Sequence, residues 1–199
     1  MNALGLMRFA AFLCLLSAAG QLLLKKRKME NYNLFLLFIL IGTILLQFYA
    51  MVSGEARLNP LLISFHTTLF YIFCPVLYYA LYVVSMPGRG FPVRFYLFFI
   101  PAIISFFFDI FILIQDYEFK LIFISNFFDG LNPIPVLIFR VLATGVIVQI
   151  LVYAAWLIIL LIPALKTEGE KSIIYATFLF SLLSAGSSML AVPGYIYGN

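Results

Sequence analysis

Six apolar stretches constrain this chain more than any other feature, because each is close to the roughly 20 residues that a helix needs to cross the hydrocarbon core of a bilayer. They cover about residues 4–24, 34–52, 61–84, 95–114, 135–165 and 173–192. Runs such as Leu34-Phe35-Leu36-Leu37-Phe38-Ile39-Leu40-Ile41 do not alternate polar with apolar residues, which excludes barrel strands and leaves helices. Composition closes the soluble alternative. The chain is 65% hydrophobic and 10% charged, whereas a soluble domain is roughly half apolar and about a quarter charged. Mean hydropathy is +1.12. The expected fold is all-α, a polytopic transmembrane bundle of about six helices forming a single domain over residues 1–199, with no sizeable soluble part.

The first stretch has a competing reading as a secretory signal peptide, with Arg8 as its basic residue and Ser17-Ala18-Ala19 as the cleavage site. Apolar sequence continues past that point through Leu24 and stops at Lys25-Lys26-Arg27-Lys28, as a retained helix ends at a cytoplasmic face. Cations then set the orientation. Lys25, Lys26, Arg27, Lys28, Arg89, Arg94, Lys166 and Lys171 fall in the loops after the first, third and fifth stretches, against Arg57 and Lys120 in the others. The positive-inside rule puts the N-terminus outside the cytoplasm and those three loops inside. The net charge of +4 is thereby absorbed by topology; no basic patch with interleaved aromatics suggests contact with nucleic acid.

Residues 115–132 form the one long connection, carrying Asp116, Glu118 and Asp129 on the expected outer side. Its apolar pieces, Leu121–Ile124 and Phe127-Phe128, are too short to span, so they should lie in the interface or cap the bundle. A ligand arriving from outside would meet this segment first.

Ionisable groups at membrane depth need an explanation. Asp109 and Arg140 lie at matching depths near the outer ends of the fourth and fifth stretches, and the expectation is that they face each other as an intramembrane polar pair. A neutralising pair that fixes helix register and a ligand site are both open readings, as is Arg140 reaching to the headgroups. His66, the single histidine, sits near the start of the third stretch beside Thr67 and Thr68; it is a candidate for sensing or for hydrogen-bonded packing. Tyr71, Tyr78 and Tyr82 share a helix face with Pro75 and either pack, with hydroxyls finding partners, or line a cavity. Pro75 and Pro101, both placed within helices, should kink them. Ser181, Ser184, Ala185 and Ser188 put small residues on the last stretch for close helix contact.

No catalytic residues, cofactor or metal are expected. HExxH, GxSxG and glycine-rich phosphate loops are missing from the sequence, and Cys14 and Cys74 lie in apolar runs where thiols behave as small hydrophobes.

From Lys25 to about Ile114 the chain resembles the membrane-embedded N-terminal region of some bacterial AraC-type transcriptional regulators. The resemblance is carried by the basic patch before an Asn-containing helix start (Lys25 to Leu34), by Cys74-Pro75-Val76-Leu77-Tyr78-Tyr79, by the basic loop with Arg89 and Arg94, and by Phe98-Phe99-Ile100-Pro101. Cys74 stands where the family has glycine, and Phe98 where it has histidine. The resemblance implies a sensory module in the bacterial cytoplasmic membrane, passing a signal to a helix-turn-helix domain reached through a seventh helix. That domain is not among these 199 residues, so the chain itself would make no direct contact with DNA, and it reads as a truncated product, a fragment or a relative without the output domain. Expected partners are membrane lipids, with a homo-oligomer or the missing seventh helix and effector domain beside them. A small transporter or channel subunit and a structural membrane protein are the alternatives.

Overall fold

The computed structural model describes residues 3–23, 29–85 and 95–164, together with Thr177, Leu179 and Leu183. Among these residues every regular element is helical. In chain order they are α1 (Ala3–Leu23), α2 (Met29–Ser53), the short α3 (Glu55–Leu58), a 3-10 turn at Pro60–Ile63, α4 (His66–Ser85), a second 3-10 turn at Phe95–Phe99, α5 (Ile100–Ile114), α6 (Tyr117–Phe128) and α7 (Ile134–Ala164). Five stretches, Leu4–Leu23, Asn31–Ser53, Pro60–Tyr82, Leu97–Ile114 and Ile134–Ile162, are long and apolar enough to cross a membrane. Thr177, Leu179 and Leu183 are helical and fall inside the sixth expected span. The rest of that span, with Ser181, Ser184, Ala185 and Ser188, lies outside the described residues, as do Lys25–Lys28, Arg89, Arg94, Lys166 and Lys171.

The surface of these helices is apolar while part of the interior is polar. Phe107, Val141 and Ile159 are each about two-thirds exposed, whereas Thr67, Ser105 and Asp109 are buried. A water-facing protein distributes these residues the other way round, so hydrocarbon is the solvent that matches this surface.

Local chemistry sets the boundaries. Gly54, with φ 82°, takes the left-handed turn between α2 and α3. Asn59 caps the first 3-10 turn by accepting from the Leu61 amide at 3.2 Å, with Pro60 in the first position, where no backbone donor is lost. Asp116 caps α6 by accepting from the Phe119 amide at 2.7 Å. Gly130, with φ 75°, follows the end of α6. The segment expected to cap the bundle is thus a regular helix of 12 residues.

The prolines divide. Pro75 lies inside α4 and is fully buried. Pro101 lies in the first turn of α5 rather than in its interior, because the 3-10 turn Phe95–Phe99 takes up the preceding residues. A proline there costs α5 no hydrogen bond of its own.

Helix α1 packs along α2, α2 packs on α4, and α4 also receives α5 and α7, which makes α4 the hub. Helix α6 lies across α3, the first 3-10 turn and the start of α7, closing what we call the capped end. Two buried cores run along α4, one with α7 around Tyr71, Tyr78, Val146, Tyr153 and Leu157, the other with α2 around Leu37, Leu40, Val76 and Ala80. A third lies under α6 around Ile63, Phe123, Val136 and Phe139.

Candidate functional site

The polar interior gathers where α4 begins, at the capped end. Chain direction changes at Ser64-Phe65, and Phe65 has φ 59°, a left-handed conformation that costs a bulky L-residue about 1–2 kcal/mol. The Phe65 carbonyl accepts from the Leu69 amide at 2.9 Å and starts α4, while its ring stacks on Phe106 of α5 at 5.7 Å.

The first turn of α4 then offers three polar side chains in succession, directed at two different helices. His66 Nδ1 lies 2.9 Å from Gln47 Oε1 on α2. Because the Gln47 amide donates its Nε2 proton to the Ser64 carbonyl at 2.8 Å, its oxygen is the free acceptor, and this assigns the ring proton to His66 Nδ1. The imidazole is edge-on to Phe70 at 5.0 Å and stacked with Phe139 at 6.4 Å. Of the two uses expected for His66, packing has a visible basis.

Thr67 and Thr68 face α5. Asp109 Oδ2 accepts from the Thr68 amide at 3.0 Å and also from the Thr68 hydroxyl. The Thr67 hydroxyl is shared between the two carboxylate oxygens at 3.1 and 3.2 Å, and itself accepts from Ser105 at 2.7 Å. Thr67, Thr68, Ser105 and Asp109 are all buried. A carboxylate has about four acceptor positions. Here Oδ2 carries three of the four contacts and Oδ1 one, which leaves capacity on Oδ1.

Asp109 therefore does not pair with Arg140. The Arg140 guanidinium turns to α6, donating to the Phe127 carbonyl at 3.4 Å with the Phe127 ring 5.9 Å away. The physical reason is placement: α5 packs on α4, and α4 puts two threonines where the sequence reading put an arginine from α7. Among the described residues the ion pair formed is Arg57–Asp129 at 3.2 Å, exposed, between α3 and the end of α6. Tyr117 of α6 also donates to the Leu58 carbonyl at 2.8 Å.

Beside Asp109 the chain leaves a narrow cleft of about 30 Å³, lined by Ser64, Phe65, Phe108, Asp109, Lys120 and Phe123 among others. By the usual measure of about 10–15 Å³ per water, it takes a group the size of two waters. Lys120 comes from α6 and makes no ion pair among the described residues.

The tyrosine face divides along its length. Tyr71 donates to the Leu142 carbonyl of α7 at 2.8 Å. Gly145, one turn further, makes room for it: a Cβ there would lie 2.2 Å from the Tyr71 hydroxyl oxygen. Tyr78 stacks on Tyr82 and on Tyr153, at 6.2 and 5.7 Å, but its buried hydroxyl has no partner among the described residues. Nearby, Gln149 Nε2 donates to Tyr153 at 3.0 Å and Tyr153 donates to the Phe98 carbonyl at 3.3 Å, while Gln149 Oε1 is buried without a partner among the described residues.

Gln47, Ser105, Gln149 and Tyr153 escaped the sequence reading, and Lys120 entered it only as a loop cation. The two glutamines had a usable signal, since each is a lone amide inside an apolar run.

Fold and site define a class: among the described residues, an all-helical protein with five helices fit to cross a bilayer and a hydrogen-bonded carboxylate buried among them. Compared with known proteins, the chain matches no family model, no curated protein and no solved structure.

Proposed function

We propose that the chain is a non-enzymatic, six-span membrane protein with its N-terminus outside the cytoplasm, serving as the sensory membrane module of a signalling protein. The observation that carries this reading is the buried Asp109 carboxylate at the cleft beneath α6, held by two adjacent threonines of the hub helix. Occupancy of the cleft would draw on the same carboxylate that joins α4 to α5. Because α4 also touches α2 and α7, a change at that joint reaches most of the bundle. Pro75 inside α4 removes a backbone donor, which would give the hub helix a point at which to bend. The resemblance to AraC-type regulators supports the same direction of signal, from the outer end to a cytoplasmic output.

A second reading, a small transporter or channel subunit, has its own support. Tyr78 and Gln149 carry polar atoms with no partner among the described residues, about 16 Å further along α4 and well along α7, taking 1.5 Å per residue. Polar groups in both halves of a bundle are what a solute path requires.

The test uses the full chain in two preparations. In nanodiscs, a panel of small polar solutes is screened for thermal stabilisation; a sensor is stabilised by at least one of them, and Asp109→Asn abolishes the effect. In liposomes, the same solutes and monovalent cations should cross no faster than through protein-free vesicles. Protein-dependent flux refutes the sensory reading in favour of transport.

A further inference from the structure

The cleft restricts the chemistry of its occupant, and the inference drawn from it rests on the reading of that cleft as the ligand seat. Its one buried charge-bearing group is Asp109, whose Oδ1 has spare acceptor capacity. Its second is Lys120, half-buried on α6, without an ion pair among the described residues. The two are not joined within 4.0 Å although they line the same space. The remaining walls include Phe65, Phe108, Phe123 and Phe139, which offer ring faces and edges but no competing hydrogen bonds.

A simple cation would satisfy Asp109 but meet the lysine; a simple anion would do the reverse. A molecule with both charges satisfies both. The enclosed part, about 30 Å³, seats an ammonium head with the rest of the ligand lying at the open mouth, and a trimethylammonium has no N–H to give to Oδ1. We propose that this cleft binds a small zwitterion, its primary ammonium on the Asp109 carboxylate and its anionic group on the Lys120 amine. Two sources carry this chemistry, a free amino acid and a phospholipid headgroup built on ethanolamine.

The experiment measures binding to the full chain in nanodiscs of pure phosphatidylglycerol by calorimetry, with glycine, β-alanine and 4-aminobutanoate as probes. Methylamine, propionate and glycine betaine are the controls. At least one primary-amino zwitterion should bind about tenfold or more tightly than every control, and Asp109→Asn and Lys120→Gln should each weaken it by about tenfold or more. Lys120→Gln changes a half-buried side chain without an ion pair, so it keeps the test informative where Asp109→Asn disturbs the fold. Phosphatidylethanolamine added to the nanodisc distinguishes the sources: stabilisation that depends on Lys120 and appears only with this lipid identifies the headgroup. Methylamine binding as tightly as the zwitterions, indifference to Lys120→Gln, or no binding of either free or lipid zwitterion overturns the proposal. The sensory reading fails separately, on solute flux; a zwitterion that binds and is carried across keeps this site and removes that reading.

Discussion

Helices α1 and α2 are joined by shape, whereas α4, α5 and α7 are joined by hydrogen bonds that cross between helices. In the hairpin, Ala11 and Ala18 are buried, and Gly42 brings α2 so close that an added Cβ would lie 2.9 Å from Leu15 Cγ and 3.2 Å from the Ala11 carbonyl oxygen. Its polar contacts stand at the two ends, Asn31 to Gln21 at 3.1 Å and Arg8 over Tyr49 at 4.9 Å. Around α4 the polar contacts are interior: Thr67 and Thr68 to Asp109, and Tyr71 to Leu142. Hydrocarbon gives two apolar helices no hydrophobic reason to associate, so close packing and interhelical hydrogen bonds are the available means. This chain uses them in different places. Packing on small residues has one good geometry, while a hydrogen-bonded joint can exchange partners, so the joints around α4 are the ones that the proposed sensing would use.

The largest effect that would break this contrast is at Asp109. Asp109→Ala leaves the buried Thr68 amide and two hydroxyls without an acceptor, and should cost about 3 kcal/mol of stability in bicelles titrated with denaturing detergent. Asp109→Asn keeps one carbonyl oxygen and should cost about 1 kcal/mol. Equal costs for the two would show that carboxylate bonding contributes nothing particular to the joint.

The two glycines sharpen it. Gly145→Ala drives a methyl group into the Tyr71 hydroxyl and should cost about 1–2 kcal/mol; Tyr71→Phe in the same chain removes the obstructing oxygen and should recover most of that. Gly42→Ala should cost about 1 kcal/mol, with relief from Leu15→Ala only in part, because the Ala11 carbonyl is backbone and cannot be trimmed. Full rescue at Gly42, or none at Gly145, would reverse the assignment of shape to one region and hydrogen bonding to the other.

Much of the architecture was legible because bilayer thickness is a ruler. The fifth stretch, expected over 135–165, is α7 at Ile134–Ala164, and the first, expected over 4–24, is α1 at Ala3–Leu23. The third was legible only in part: its helix starts at His66, after a left-handed turn at Phe65 that neither glycine nor proline announces. Asp109 stood out as a charge in an apolar run, but its partner did not. Depth along a helix follows from residue number, whereas the azimuth of a side chain and the identity of the neighbouring helix do not. Arg140 had the right depth and the wrong neighbour, and Thr67 and Thr68 were visible only as companions of His66.

The smallest expected effect is the one that separates these two partnerships most cleanly. In a double-mutant cycle, Asp109→Asn with Arg140→Gln should show coupling below about 0.5 kcal/mol, because the guanidinium bonds to Phe127 and not to the carboxylate. Asp109→Asn with Thr68→Val should instead couple by about 1 kcal/mol, since both changes remove parts of one hydrogen-bonded group. The single changes alone cannot distinguish the cases, as each also alters burial and side-chain volume. Coupling of 1 kcal/mol or more to Arg140 would mean that α5 meets α7 across the bundle, and that α4 does not hold the carboxylate as described.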